Sequence, residues 1–93
     1  MSGDDQFRAL IITPRFLEDM IGDRFSPSDR RRLFQALGRL DADERHPSLR
    51  VHPLRGELTG QWSVSASDQL RMTFVRLADG RKMMLTCSRH YQR

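Results

Sequence analysis

Three successive runs toward the C-terminal end of this 93-residue chain, "GQWSVSAS", "LRMTFVRL" and "KMMLTCSR", fix what it can fold into. In the first, Trp62, Val64 and Ala66 alternate with Ser63 and Ser65, and in the second Leu70, Met72 and Phe74 alternate with Arg71, Thr73 and Val75. Neighbouring side chains of a strand point to opposite faces, so such runs make strands with one face that must be covered. "ADGR", between the second and third runs, supplies an Asp-Gly turn. The chain has to build an antiparallel sheet and find something to lay across it.

The cover lies in the first half. "TPRFLEDMIGDRF" opens with Thr13 as N-cap and Pro14 at the first helical position, and Leu17, Met20, Ile21 and Phe25 follow at spacings of three and four. "SPSD" repeats the start signal with Ser26, Pro27 and Ser28, and Leu33, Phe34, Leu37 and Leu40 form the second apolar stripe. Ahead of both, "FRALII" (7–12) reads as a short strand. After them, "DADERHPSLRVHPL", with Pro47 and Pro53, reads as a loop leading to an edge strand. The order β-α-α-β-β-β predicts one α+β domain over residues 1–93. A two-helix hairpin packs on one face of a largely antiparallel twisted sheet, and the other face, carrying Arg71, stays bare. Trp62, Phe74 and Phe34 are expected in the core, Cys87 as a small packed residue, and His46 in solvent.

A chain of this length sits near the lower end of sizes at which one apolar core suffices. Its single cysteine, Cys87, forms no internal disulfide, and no cysteine or histidine pair has metal spacing. No apolar run is long enough to span a membrane, and the acidic start "MSGDDQ" is unlike a secretory signal, so a cytoplasmic location is expected. The net charge of +4 is uneven: residues 45–93 carry +6 and residues 1–44 carry −2. Fifteen of the sixteen basic residues are arginines, which suits bidentate phosphate contact and equally fits a codon bias.

Three groups bear chemistry. Arg71 is a charge in the middle of an apolar strand; "RVHPLRGEL" brings Arg50, His52 and Arg55 beside the sheet; and "SRHYQR" ends the sequence with Arg89, His90, Tyr91 and Arg93. Taken singly, each also fits a plainer reading: an exposed strand arginine, a solvated loop, a frayed end.

Their order and spacing resemble the RelE/ParE toxin superfamily, and within it the YoeB-like ribonuclease toxins, through "HPLRGELTGQWS", "QLRMTF" and "TCSRHYQR". The likeness is specific over residues 51–93 and looser before them, where it rests on the β-α-α order. It implies a toxin of a bacterial toxin-antitoxin pair that enters the A site of the 70S ribosome and cuts the mRNA there without a metal or other cofactor. A cognate antitoxin is the implied partner. It further implies that Arg71 steadies the scissile phosphate, that His90 and Tyr91 complete the site, and that Arg55 is the basic residue after Pro-Leu. In one respect the chain departs from the pattern: His52 stands where YoeB-like sequences place a Glu, their proposed general base.

The residue types suit that chemistry on their own terms. RNA cleavage of this kind needs a base for the 2′-hydroxyl proton, an acid for the departing 5′-oxygen and fixed positive charge for the phosphorane. An imidazole, with an unperturbed pKa of about 6.5, serves either proton role near neutral pH. His52 is then a candidate base and His90 a candidate acid. Arg71 and Arg55 would hold the phosphate, Tyr91 would stack on a base or orient the phosphate, and Arg50, Arg89 and Arg93 would track RNA. Two other readings stay open: a ParE-like gyrase poison that needs no nuclease residues, and a module that binds RNA without cutting it.

Overall fold

Thr13 and Ser26 cap the helices of the protein, a computed structural model of which describes residues 7–89. Helix α1 spans Pro14–Ile21, with the Thr13 hydroxyl accepting from the Phe16 amide. Helix α2 spans Pro27–Ala42 and starts with a complete capping box: the Ser26 hydroxyl accepts from the Asp29 amide, and the Asp29 carboxylate accepts from the Ser26 amide, both at 3.0 Å. Such caps satisfy amides that the first helical turn leaves without partners. Both prolines sit where a missing N–H costs nothing.

The strands are β1 (Leu10–Ile12), β2 (His52–Pro53), β3 (Gln61–Ser65), β4 (Leu70–Arg76) and β5 (Lys82–Arg89). They form one sheet in the order β1-β5-β4-β3-β2. All neighbours are antiparallel except β1 and β5, which pair in parallel. The expected α+β layout is therefore present, and the short edge strand after Pro47 is β2.

The helices bury Leu33, Leu37 and Leu40 of α2 and Phe16 of α1 against Val64, Met72, Phe74 and Met84 of the sheet. Three apolar residues expected to face inward do not: Leu17, Ile21 and Phe34 are 49, 70 and 60% exposed. In α1 the buried residue is Phe16, one position before the expected stripe. Asp19, three residues on and therefore on the same side of the helix as Phe16, fits this rotation. Its carboxylate accepts from the Cys87 amide of β5 at 3.4 Å, beyond the residues that pair with β1, a contact that goes with Phe16, not Leu17, facing the sheet. The Phe34 ring lies outside the core against Phe7, with centroids 6.1 Å apart. Phe74 is fully buried and Trp62 stacks on it from the rim, 6.3 Å between ring centroids.

Strand β5 does not alternate cleanly. Phe74 pairs with Met84 but Thr73 pairs with Thr86, so Leu85 is an extra residue in a bulge. A bulge of one residue exchanges the faces of everything beyond it. Lys82 and Met84 face the helices before the bulge, and Cys87 and Arg89 do so after it, while Thr86 and Ser88 turn to the open face.

At one end of the covered face, Glu44 bridges two cations. Its carboxylate receives Arg76 at 2.6 Å and the nearly buried Lys82 at 3.3 Å, and the Arg76 guanidinium lies 4.3 Å above the Trp62 ring. Hydrogen bonding from Arg76, and then Lys82, lowers the Glu44 pKa from the ordinary 4.5 to about 2. Since the folded state binds this proton less tightly than the unfolded state, the contribution is complete above pH 4.5 and is lost as pH falls toward 2. Glu44→Gln is expected to cost about 2 kcal/mol at pH 7, discounted for the partial exposure of the carboxylate. Urea unfolding should find that gap closing between pH 4.5 and 2; a gap independent of pH would mean that the charge of Glu44 is not what matters.

Candidate functional site

The face of the sheet away from the helices is polar by the register of its strands. One row runs His52, Ser63, Thr73, Thr86 across β2, β3, β4 and β5, and the next runs Ser65, Arg71, Ser88. The Thr73 and Thr86 hydroxyls bond each other at 2.6 Å. Ser63 and Ser65, small residues on an interior strand, are buried by their neighbours although they face away from the core.

Arg71 stands on this face, half-buried. Its Nη1 donates to the Ser67 carbonyl at 2.5 Å and to the Leu70 carbonyl at 3.1 Å. Those two contacts engage one terminal nitrogen. A guanidinium has five N–H groups in a planar fork, so the Nε–Nη2 edge, which suits bidentate contact with an anion, is unclaimed by any described residue.

His52 is exposed at the start of β2, with Nδ1 2.8 Å from the Arg50 carbonyl. A carbonyl only accepts, so Nδ1 carries the proton in that bond. The neutral ring then keeps its lone pair on Nε2. Arg50 adopts a left-handed backbone conformation (φ 48°) and lines a surface hollow of about 360 Å³ with Ser65 and Ser67, next to the carbonyl that holds Arg71. Its guanidinium has no partner among the described residues. By register His52 and Arg71 share the open face, on adjacent rows of β2 and β4, and Arg50 stands beside the turn that holds Arg71. Arg55 is exposed on the turn between β2 and β3.

Arg89, expected beside Arg71 as an RNA contact, lies on the other face. The bulge turns it toward α2, where Nη2 meets the Asp29 carboxylate at 2.5 Å and Nη1 meets the Gln69 side chain at 3.0 Å. Its charge is already neutralised there. His90, Tyr91 and Arg93 lie outside the described residues.

The structure also brings forward groups that the sequence reading passed over. A groove of about 590 Å³ on the open face is lined by Thr13, Arg15, Leu58, Gln61, Thr73, Leu85, Thr86 and Ser88. Arg15, on the first turn of α1, has no partner among the described residues. The hydroxyl row was legible as the outward half of each alternation, but the place of Arg15 depends on how α1 lies along β5. Cys87 is inert: burial, with Asp19 second, pushes its thiol up to about 12. Among the described residues no cluster of His, Cys, Asp and Glu could hold a metal ion, and no helix is long and apolar enough to cross a membrane.

No protein-family model matches the sequence, and no curated protein does. Solved structures do match. The YoeB/ParE toxin from Agrobacterium tumefaciens superposes with a TM-score of 0.68 at 18% identity, over 88% of this chain and 98% of that one. YafQ from E. coli gives 0.68 at 13% identity, over 87% and 91%. The toxin-antitoxin complex RelBE2 from Mycobacterium tuberculosis gives 0.60 at 19%, over 88% and 96%. The fold is thus one that these small bacterial toxin structures share. More narrowly, it is the fold shared by the RelE, YoeB and YafQ proteins, over nearly the whole length of each.

Proposed function

We propose that the protein is the toxin of a type II toxin-antitoxin pair, a cytoplasmic endoribonuclease that cuts mRNA in the ribosomal A site. The observation that carries this reading is the open sheet face, which presents on adjacent rows an arginine with an unclaimed donor edge and a histidine whose Nε2 has no partner among the described residues. In the proposed reaction Nε2 of His52 takes the proton from a 2′-hydroxyl, the 2′-oxygen attacks the adjacent phosphorus, and the bond from phosphorus to the 5′-oxygen breaks. His90 returns a proton to that oxygen. The products are a 2′,3′-cyclic phosphate and a 5′-hydroxyl. Arg71 holds the charge that accumulates on the non-bridging oxygens. Arg15, Arg50 and Arg55, with the hydroxyl row, provide contacts for the flanking RNA and the ribosome, and Tyr91 is assigned a stacking or orienting role.

A partner follows from the same reading. An antitoxin segment must cover the basic open face, and the apolar side chains left outside by the helices, Leu17, Ile21 and Phe34, suit contact with an amphipathic chain. Two of the matched structures, RelBE2 and the YoeB-YefM complex from Staphylococcus aureus, are complexes with antitoxins.

The test is translation of a defined message in a cell extract with the purified protein, with mapping of the 3′ and 5′ ends. Cuts at ribosome-occupied codons are expected. They should disappear on deletion of residues 90–93 and fall steeply for His52→Ala, while His52→Glu retains activity. Intact message together with arrested DNA supercoiling would assign the fold to gyrase poisoning instead. Intact message with salt-dependent RNA binding would leave a binding module.

A further inference from the structure

The turn between β3 and β4 is held from both faces of the sheet. On the open face the Ser67 carbonyl accepts from Arg71 Nη1 at 2.5 Å. Within the turn, the Ser67 hydroxyl accepts from the Gln69 amide at 3.3 Å and the Leu70 amide at 3.2 Å, so the Ser67 main chain and the position of Gln69 are tied together. On the helix face, Arg89 donates from Nη1 to the Gln69 side chain and from Nη2 to Asp29. Asp29 in turn belongs to the capping box of α2 and cannot move without uncapping the helix. The ion pair is well shielded, with 27% of the Arg89 side chain and 11% of the Asp29 side chain exposed.

We infer that Arg89 is a positioning residue for Arg71. By clamping Gln69 to the start of α2, it fixes the turn whose carbonyl pins one nitrogen of the Arg71 guanidinium and leaves the other edge for the phosphate. The chain of contact is Asp29, Arg89, Gln69, the Ser67 carbonyl, Arg71, and it crosses the sheet through the turn. This role rests on the nuclease reading, because orienting Arg71 matters only if Arg71 meets a phosphate. It differs from the sequence expectation for Arg89, which was direct contact with RNA, and the two make opposite forecasts.

The experiment uses full-length protein and ribosomes carrying a defined message, measuring single-turnover cleavage at saturation and ribosome affinity across salt. Arg89→Gln should slow cleavage about 10- to 100-fold, the scale of a small misplacement of a reacting group, with affinity and salt slope unchanged. Asp29→Asn and Gln69→Ala should slow it in the same direction, Arg89→Lys should recover part of the loss, and Arg89→Gln with Asp29→Asn should be no slower than Arg89→Gln alone. Were Arg89 an RNA contact, its removal would weaken binding and lower the salt slope by about 1 while sparing the saturated rate, and Asp29→Asn would tighten binding by freeing a cation. Either of those results, or wild-type rates in every variant, overturns the inference. If Arg89→Gln does not fold, Gln69→Ala, which removes only the link to the turn, decides alone. Failure of the intact protein to cut any message is a different outcome, since it removes the nuclease reading. The clamp itself is then judged by amide exchange: Gln69 and Leu70 should lose protection in Arg89→Gln, and unchanged protection overturns it.

Discussion

Arg71→Ala is expected to slow cleavage of ribosome-bound message about 100- to 1,000-fold, the cost of removing one preorganised donor from a site of developing negative charge. The loss should fall on the chemical step. The arginine sits half-buried near the start of β4, with one nitrogen held by backbone carbonyls, so its orientation is set before any RNA arrives. A donor held in this way spends little on reorganisation when charge builds up on the phosphate. Binding of the ribosome, by contrast, draws on many arginines spread over the surface, and the loss of one changes it little. Single-turnover rate and ribosome affinity separate the two. Arg71→Lys should recover only a small part of the rate, because an ammonium cannot both take the two carbonyl contacts and offer a planar edge to an anion. An equal loss of affinity and rate would place Arg71 among the binding arginines and leave the site without its central cation.

How far the sequence could take a reader is clearest in β5. Alternation in "KMMLTCSR" and the Asp-Gly turn before it are enough to predict a last strand paired with β4, and the pair is there. The bulge at Leu85 is not written in the pattern: Met83, Met84 and Leu85 are all apolar, so either parity fits. The choice is made by tertiary contacts, with Cys87 packed under Phe16 and Arg89 drawn to Asp29. Arg71 and His52 were legible because period two fixes their shared face once the strands are adjacent. Arg89 was not, since its face depends on a register slip some residues earlier. The parallel pairing of β1 with β5 escaped for a related reason. Three residues of β1 carry no mark of their partner, which comes from the far end of the sequence as the last strand, β5, is laid beside them.

Helix α1 shows the same ambiguity in a form that a stability measurement resolves. In "PRFLEDMI" two apolar pairs stand at helical spacing, Phe16 with Met20 and Leu17 with Ile21, one residue out of phase. An eight-residue helix has too few turns for periodicity to choose between them. In the structure Phe16 is wholly buried and its carbonyl lies 3.9 Å from the Cys87 sulfur, while Leu17 and Ile21 look outward. Phe16→Ala should therefore cost about 3–5 kcal/mol, the transfer free energy of a phenyl group plus the cavity it leaves. Against a total of about 5–15 kcal/mol for a domain, that brings a chain of this size close to unfolding at 37 °C. Ile21→Ala should stay within about 0.5 kcal/mol, as expected for a position with no buried contact to lose. Phe34→Ala, which gives up only a partly exposed ring contact with Phe7, should cost under about 1 kcal/mol. Equilibrium urea unfolding of the three variants measures all of this on one scale. A large cost at Ile21 with little at Phe16 would mean that α1 is rotated by about one residue from the orientation described, and the Asp19 contact that goes with that orientation would have to be abandoned with it.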